Sequence, residues 1–209
     1  MNKYIDLTQL KPYAGETDIK ALCDTAIEMN TAGVCIHPCH VALAKRLLEG
    51  TDIIICTVIG FPLGANTTAI KETETNIAYI DGCDEFDMVI NIGALKDKRY
   101  GYVCRDIEAV VEAAKGKTVK VIIETLWLTK DEKVIACQLA CKAGAHYVKT
   151  CTGFNDGIAT VEDIKLMKAA VKEGVKIKAS SGIRTYKQAA DLIEAGAERL
   201  TSVLLGNII

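Results

Sequence analysis

"KYIDLTQLKPYAGETDIKALCDTAIEMNTAGVCIH", Lys3–His37, contains the unit from which the fold is read. It opens on the short strand-like run "KYIDLT" and closes on a stronger one, "GVCIH". Between them lies "TDIKALCDTAIEMN", where Ile19, Leu22, Cys23, Ala26 and Ile27 trace one face of a helix. Two strands joined by a helix pair side by side in the same direction, because a tight turn cannot connect parallel neighbours.

The alternation continues outward from this unit. β-Branched runs recur at "DIIICTVIG", "EFDMVIN", "TVKVIIET", "HYVKT", "VKIKAS" and "RLTSV", with helical stretches between most of them. Capping-box patterns mark helix starts at Thr129 with Glu132, Thr160 with Asp163 and Thr185 with Gln188. Glycines mark helix ends in "EMNTAG", "AAKG", "CKAG", "KEG" and "EAG". The strands read as nearly all-apolar runs, as expected when both sheet faces are covered. About eight strand–helix units favour an α/β fold, a single-domain (β/α)8 TIM barrel over residues 1–209, although ~250 residues is more typical. An open doubly wound sheet is the alternative. No linker, low-complexity tract or charge block divides the chain.

The composition narrows the function classes. Half of the 209 residues are hydrophobic, a quarter are charged and the net charge is −2, so no electrostatic case exists for nucleic acid or an anionic membrane. The longest apolar run, "IIICTVIGFPLGA", is shorter than the ~20 residues a spanning helix needs and is broken by Gly and Pro. The first residues show no apolar signal core, and a soluble cytoplasmic protein is expected. Nine cysteines, an odd number set in apolar patterns, read as free thiols in a reducing compartment. Cys137 and Cys141, four apart on a helix face, read as packing.

Three polar residues stand near the C-terminal ends of strands, where a barrel of this kind places its chemistry: Asp87 in "DEFDMVIN", Lys149 in "HYVKT" and Lys178 in "KIKAS". Singly, each lysine reads as a strand-end side chain reaching for water, and Asp87 as a satisfied carboxylate near Asp84 and Glu85. Together they describe Schiff-base chemistry. An amine attacks a carbonyl only when neutral, its free pKa is ~10.4, and burial or a second cation lowers that value. Asp87 would exchange protons with the bound substrate, directly or through a water.

With "IDLTQLKP", "VCIHPCHVALAK", "VIGFPLGANTTAIKETET", "GCDEFDMVINIGALK", "HYVKTCTGF" and "KASSGIRT", the chain resembles the deoxyribose-phosphate aldolase family from Tyr4 to about Arg199. The resemblance implies the (β/α)8 barrel and reversible cleavage of 2-deoxy-D-ribose 5-phosphate to D-glyceraldehyde 3-phosphate and acetaldehyde. It implies Lys149 as the Schiff-base lysine, Lys178 as the second lysine that lowers its pKa and joins in proton transfer, and Asp87 as the proton-relay carboxylate. Asp6, Thr8, Cys35 and Phe61 match pocket residues. Carbinolamine, imine, C–C cleavage to an enamine, protonation and hydrolysis would follow in turn. No metal or organic cofactor is implied, and a homodimer is plausible because relatives often form one.

"CIHPCH" looks like a zinc cluster, but Cys35, His37, Cys39 and His40 are too near one another in sequence to converge well at a strand-to-helix turn. A metal-dependent aldolase is therefore disfavoured. Phosphate binding is expected from Thr152 and Gly153 in the sixth loop and from Ser181, Gly182 and Arg184 in the seventh. Here the chain departs from its relatives. Ser181 replaces the first of two usual glycines, where its Cβ would crowd the loop or constrain its dihedrals. In "RLTSVLLGNII", Thr201 and Val203, or with a deletion Thr201 and Ser202, replace a usual glycine and serine. Leu7 stands where a histidine is common.

These departures leave open a Schiff-base aldolase that accepts less phosphorylated aldehydes. Another barrel aldolase or transaldolase fits the motifs poorly. A catalytically silent sugar-phosphate-binding homologue would be marked by loss of the lysines or the aspartate, and all three are present.

Overall fold

The computed structural model describes residues 1–202, and Val203 lies outside the described residues. The order is β1 (Ile5–Gln9), α1 (Glu16–Glu28), β2 (Gly33–Ile36), α2 (Val41–Leu47), β3 (Ile54–Ile59), α3 (Thr68–Ile80), β4 (Glu85–Val89), α4 (Ile92–Lys96), α5 (Tyr100–Ala113), β5 (Thr118–Ile122), α6 (Lys130–Lys142), β6 (Tyr147–Lys149), α7 (Val161–Ala170), β7 (Lys176–Ala179), α8 (Tyr186–Glu194) and β8 (Arg199–Ser202). All pairings are parallel, each strand beside the next, and β8 returns to β1 through Ile5–Leu200, Asp6–Thr201 and Leu7–Ser202 to close the barrel. An open sheet is thereby ruled out. The extra helix α4, between β4 and α5, has no counterpart in the sequence reading.

Alternation along the strands is sharper than the sequence reading expected. Ile5 and Leu7, Val34 and Ile36, Phe86 and Met88, and Val119 and Val121 join the main apolar core. Residues interleaved with them, including Asp6, Glu85, Asp87 and Lys120, are equally buried. Successive strand side chains point to opposite faces, so the apolar set meets the helices and the polar set fills the lumen. Both faces are covered, but with different chemistry. Gly33, on the lumen side of β2, leaves room for this polar layer. A Cβ there would lie 2.6 Å from the Ile54 carbonyl oxygen and 3.2 Å from Asp6 Oδ1.

Helix starts follow the sequence patterns. Thr129 Oγ1 accepts from the Glu132 N–H at 3.3 Å and Glu132 Oε2 accepts from the Thr129 N–H at 2.8 Å, and Thr185 with Gln188 repeats the arrangement. Thr160 accepts from the Asp163 N–H at 3.0 Å, but the Asp163 carboxylate takes Lys133 instead, at 2.6 Å, so that box closes on one side only. Helix ends are less literal. In "EMNTAG" it is Asn30, at φ 47°, that adopts the left-handed conformation, while Gly33 already belongs to β2. Helix α7 stops at Ala170, well before the glycine of "KEG".

Outside the barrel, Lys71 of α3 is fully buried. Its ammonium donates to Asp106 Oδ2 of α5 at 2.5 Å and to the Val89 carbonyl at the end of β4 at 2.9 Å, while the Thr68 hydroxyl donates to Asp106 Oδ1 at 2.8 Å. This pins two helices to one strand end. Replacing Asp106 by Ala strands a buried ammonium, which costs about 3–5 kcal/mol when a buried pair loses one partner. Urea unfolding of Asp106→Ala should show a loss of that order, and a loss under about 1 kcal/mol would mean that the pair is not buried in solution.

Candidate active site

The lumen side of the strands carries four basic groups, Lys120, Lys149, Lys178 and Arg199, and three carboxylates, Asp6, Glu85 and Asp87, all buried. Register brings them together, since Asp87 lies beside Lys120, Lys149 beside Lys178 and Lys178 beside Arg199 on neighbouring strands. Asp87 is the hub. Its Oδ2 accepts from Lys149 Nζ at 2.7 Å and from Lys178 Nζ at 2.9 Å, and its Oδ1 accepts from Lys120 Nζ at 2.8 Å. Lys178 also donates to Asp6 Oδ2 at 2.5 Å, and Arg199 reaches Asp6 Oδ1 at 2.7 Å. Lys120 meets Glu85 at 2.6 Å, and Arg199 meets the same carboxylate at 3.3 Å.

The charge states follow from this packing. Burial pushes the Asp87 carboxyl up, but Lys120, Lys149 and Lys178 outweigh it and hold the group well below the ordinary carboxylate range. Burial likewise raises Asp6, and Lys178, Arg199 and Lys120 bring it down to about 2. For Lys178, burial favours the neutral amine, but Asp6 and Asp87 prevail and push its pKa up. For Lys120, burial is overcome by Asp87, Cys56 and Glu85, again raising the pKa. Lys178 and Lys120 are therefore standing cations, and Asp87 a standing carboxylate.

Beside this cluster lies a cavity of about 530 Å³ at the C-terminal ends of the strands. Thr8, Thr152, Gly153, Ser181, Gly182, Arg184 and Thr201 all line it. Ser181 adopts φ 79°, a left-handed conformation usual for glycine, and its hydroxyl donates to the Gly157 carbonyl at 2.6 Å. The Cβ is accommodated and constrained as the sequence suggests, with the hydroxyl engaged by the neighbouring loop. Thr201 Oγ1 is buried without a hydrogen-bond partner among the described residues. Ser202 follows Thr201 by one strand position, buried but not part of the cavity wall. Cys35 and Phe61 pack with Leu10, Cys56 and Val58, and Leu10 joins that cluster to the cavity.

"CIHPCH" does not converge. Cys35 is buried, Cys39 is exposed, and His37 Nε2 faces the Leu10 carbonyl oxygen at 2.8 Å. The ligand atoms of Cys35, Cys56 and Asp87 do lie within 4.8 Å of one another. However, both Asp87 oxygens already face ammonium groups, and three cations around one carboxylate repel a dication.

The sequence reading missed Glu85, Lys120 and Arg199. A charged residue centred in a buried run, as in "TVKVI", was the available signal for Lys120. Nothing local marks Arg199, which meets Asp6 only when the barrel closes.

The depressed carboxylates set the acid behaviour. The unfolded chain takes up these protons near ~3.9 and the folded chain only at lower pH, Asp6 at about 2, so their stabilisation is full above about pH 4 and is lost on acidification towards pH 2. Urea midpoints across that window should fall steeply, and more gently in Asp6→Asn. Equal slopes would contradict the assigned charge states.

Comparison with known proteins agrees with the geometry. The family described as DeoC/LacD family aldolase matches residues 1–209. A deoxyribose-phosphate aldolase from Macrococcus caseolyticus is 55% identical over 198 residues, covering 95% of this chain and 90% of that protein. One from Thermococcus gammatolerans is 56% identical, with the same shares of the two chains. Among solved structures, an aldolase called QR15 has a TM-score of 0.93 at 37% identity, covering 97% of this chain and 90% of its own. The deoxyribose phosphate aldolase of Aeropyrum pernix, described as tetrameric, has 0.90 at 28% identity, covering 97% and 86%.

Proposed function

Since this chain belongs to the DeoC/LacD family of aldolases, we propose that Lys149 forms the Schiff base of its reaction, with Asp87 and Lys178 moving the protons. The reaction is that of a deoxyribose-phosphate aldolase, an aldehyde-lyase that reversibly cleaves 2-deoxy-D-ribose 5-phosphate to D-glyceraldehyde 3-phosphate and acetaldehyde. The observation that carries the residue roles is the sharing of Asp87 Oδ2 by Lys149 and Lys178.

The sequence of events follows from these positions. Lys149 Nζ adds to the aldehyde carbon to give a carbinolamine, and loss of water leaves the imine. The 3-hydroxyl then gives up its proton as the C2–C3 bond breaks, releasing glyceraldehyde 3-phosphate and leaving an enamine on Lys149. Protonation of the enamine at C2 and hydrolysis of the resulting imine release acetaldehyde. Asp87 is placed to accept and return protons at Lys149, directly or through a water, while Lys178 is an ammonium held beside it by two carboxylates. The fixed positive charge of Lys178 next to the nucleophile is what its assigned role requires. Asp6 and Arg199 keep Lys178 in place, and Lys120 fixes the other oxygen of Asp87.

The phosphate is assigned to the cavity wall built by Thr152, Gly153, Ser181, Gly182, Arg184 and Thr201, with Thr8 beneath. A second reading, cleavage of less phosphorylated substrates, is favoured by one feature. The Ser181 hydroxyl is spent on Gly157, and Thr201 occupies a position usually given to glycine. Residues 1–209 are assigned to one aldolase domain acting as a cytoplasmic homodimer on small molecules. No helix among the described residues is long and apolar enough to cross a membrane, and the net charge of −2 offers nothing to nucleic acid.

Borohydride reduction in the presence of acetaldehyde should leave a stable adduct on Lys149, undiminished by a chelator, and none in Lys149→Met. An unmodified Lys149 would end the Schiff-base assignment. The substrate assignment has its own measure. Unphosphorylated 2-deoxyribose should be cleaved with a kcat/KM at least about 100-fold below that of the phosphate ester, the loss of about two charge-assisted hydrogen bonds. Near-equal values would favour the second reading.

A further inference from the structure

Glu124 has no part in the chemistry above, yet the fold holds it under unusual constraint. It follows β5 in a left-handed conformation, φ 54° and ψ 72°, which few residues other than glycine adopt. Its carboxylate is buried. Oε2 accepts from the Thr152 hydroxyl at 2.5 Å, the Thr152 N–H at 3.2 Å and the Asn155 side-chain amide at 3.2 Å, while Oε1 is buried without a partner among the described residues.

These bonds lead from β5 to the cavity. Having donated to Glu124, the Thr152 hydroxyl accepts the Phe154 N–H at 3.2 Å. The Phe154 ring then meets Phe61 edge-on, with centroids 5.1 Å apart, and Phe61 meets His37 at 6.2 Å. Segments after four strands, β5, β6, β3 and β2, are thereby bridged across the barrel mouth. Residues 152–158 join no backbone–backbone hydrogen bond among the described residues. Their placement rests on side chains, Glu124 at one end and the Ser181 hydroxyl on Gly157 at the other. A loop without a ladder takes its shape from such anchors, and a carboxylate accepting three N–H and O–H groups is a strong one.

We propose that Glu124 is a positioning residue for substrate recognition. Through Thr152 it fixes the loop that walls the cavity and sets Phe154 against Phe61, so that the phosphorylated half of the substrate meets a preformed surface. The inference rests on the assignment of the cavity to the sugar phosphate and of Lys149 to the Schiff base. Acetaldehyde, two carbons long, reacts at Lys149 without needing that wall, and this separates the anchor from the nucleophile.

The test compares Glu124→Ala, Glu124→Gln and Asn155→Ala with the unaltered protein, measuring kcat and KM on 2-deoxyribose 5-phosphate and the borohydride-trapped acetaldehyde adduct. Loss of a charge-assisted anchor should raise KM about 10- to 100-fold in Glu124→Ala, with a smaller change in kcat. Trapping should stay at its original level, which also shows that the fold survives. Glu124→Gln keeps an acceptor for Thr152 and should restore most of the KM. Adding Asn155→Ala to Glu124→Ala should cost nothing further, because the Asn155 amide holds the loop through the Glu124 carboxylate. A KM within about twofold of the original in Glu124→Ala, additive effects in the double variant, or trapping that falls in parallel with cleavage would each overturn the proposal. If Glu124→Ala does not fold, Glu124→Asp, whose shorter side chain draws the carboxylate away from Thr152, decides by the same readouts: a raised KM with unchanged trapping is expected, and a KM within about twofold of the original would overturn the proposal. Absence of any adduct in the unaltered protein would instead refute the Schiff-base assignment.

Discussion

A carboxylate enclosed in protein stays ionised only when cations face it, and Asp87 is such a carboxylate at the centre of this barrel. Fully buried, it meets three ammonium groups from three other strands. Those lysines in turn need partners, and Glu85 and Asp6 supply them, with Arg199 joining the two. The lumen is therefore filled by ion pairs where many barrels use branched aliphatic side chains. Much of what surrounds it follows. Inner strand positions alternate with apolar ones because the helices must be met by an apolar surface, and β2 offers Gly33 where a side chain would press on Asp6. Such a lattice contributes little net stability compared with an apolar core of the same volume. Its value lies in presenting an amine, a carboxylate and a standing cation at fixed distances before any substrate arrives.

The sequence carried the architecture because strand–helix alternation is a local signal. Seven of the eight strands fall within the runs read from the sequence, β1 extends one residue past its run to Gln9, and the capping boxes at Thr129 and Thr185 form as their spacing implies. Asp87, Lys149 and Lys178 were legible for a different reason, since each lies in a motif shared with a known family. What stayed hidden depends on contacts that no local pattern encodes. Arg199 looks like an ordinary charge at a strand start until β8 pairs with β1. Lys120 sits in an apolar run, and only lumen packing reveals that its ammonium reaches Asp87. Glu124 resembles the polar end of a strand, and its left-handed backbone follows from the bonds it makes across the loop. The conflict at Ser181 was visible as an unusual residue, whereas its resolution through Gly157 required the neighbouring loop.

Under the roles proposed above, the site divides into two halves of different character. The reacting half is built on strands, with rotamers held by buried ion pairs. The recognising half is built on loops, tied by a few side chains and by aromatic edges. Precision is thus concentrated where bonds break. The loops can vary in sequence, as at Ser181, without disturbing the lysines beneath.

The pairing of Arg199 with Asp6 joins residues 193 positions apart. Until β8 is in place, Asp6 and Glu85 lack the guanidinium that bridges them. A barrel without β8 thus leaves Asp6 Oδ1 without its charged partner, and part of the energetic reward for closure is withheld until the first and eighth strands meet. The ion pairs around Asp87 therefore also couple the first strand to the eighth, because β8 brings the cation that completes the polar interior.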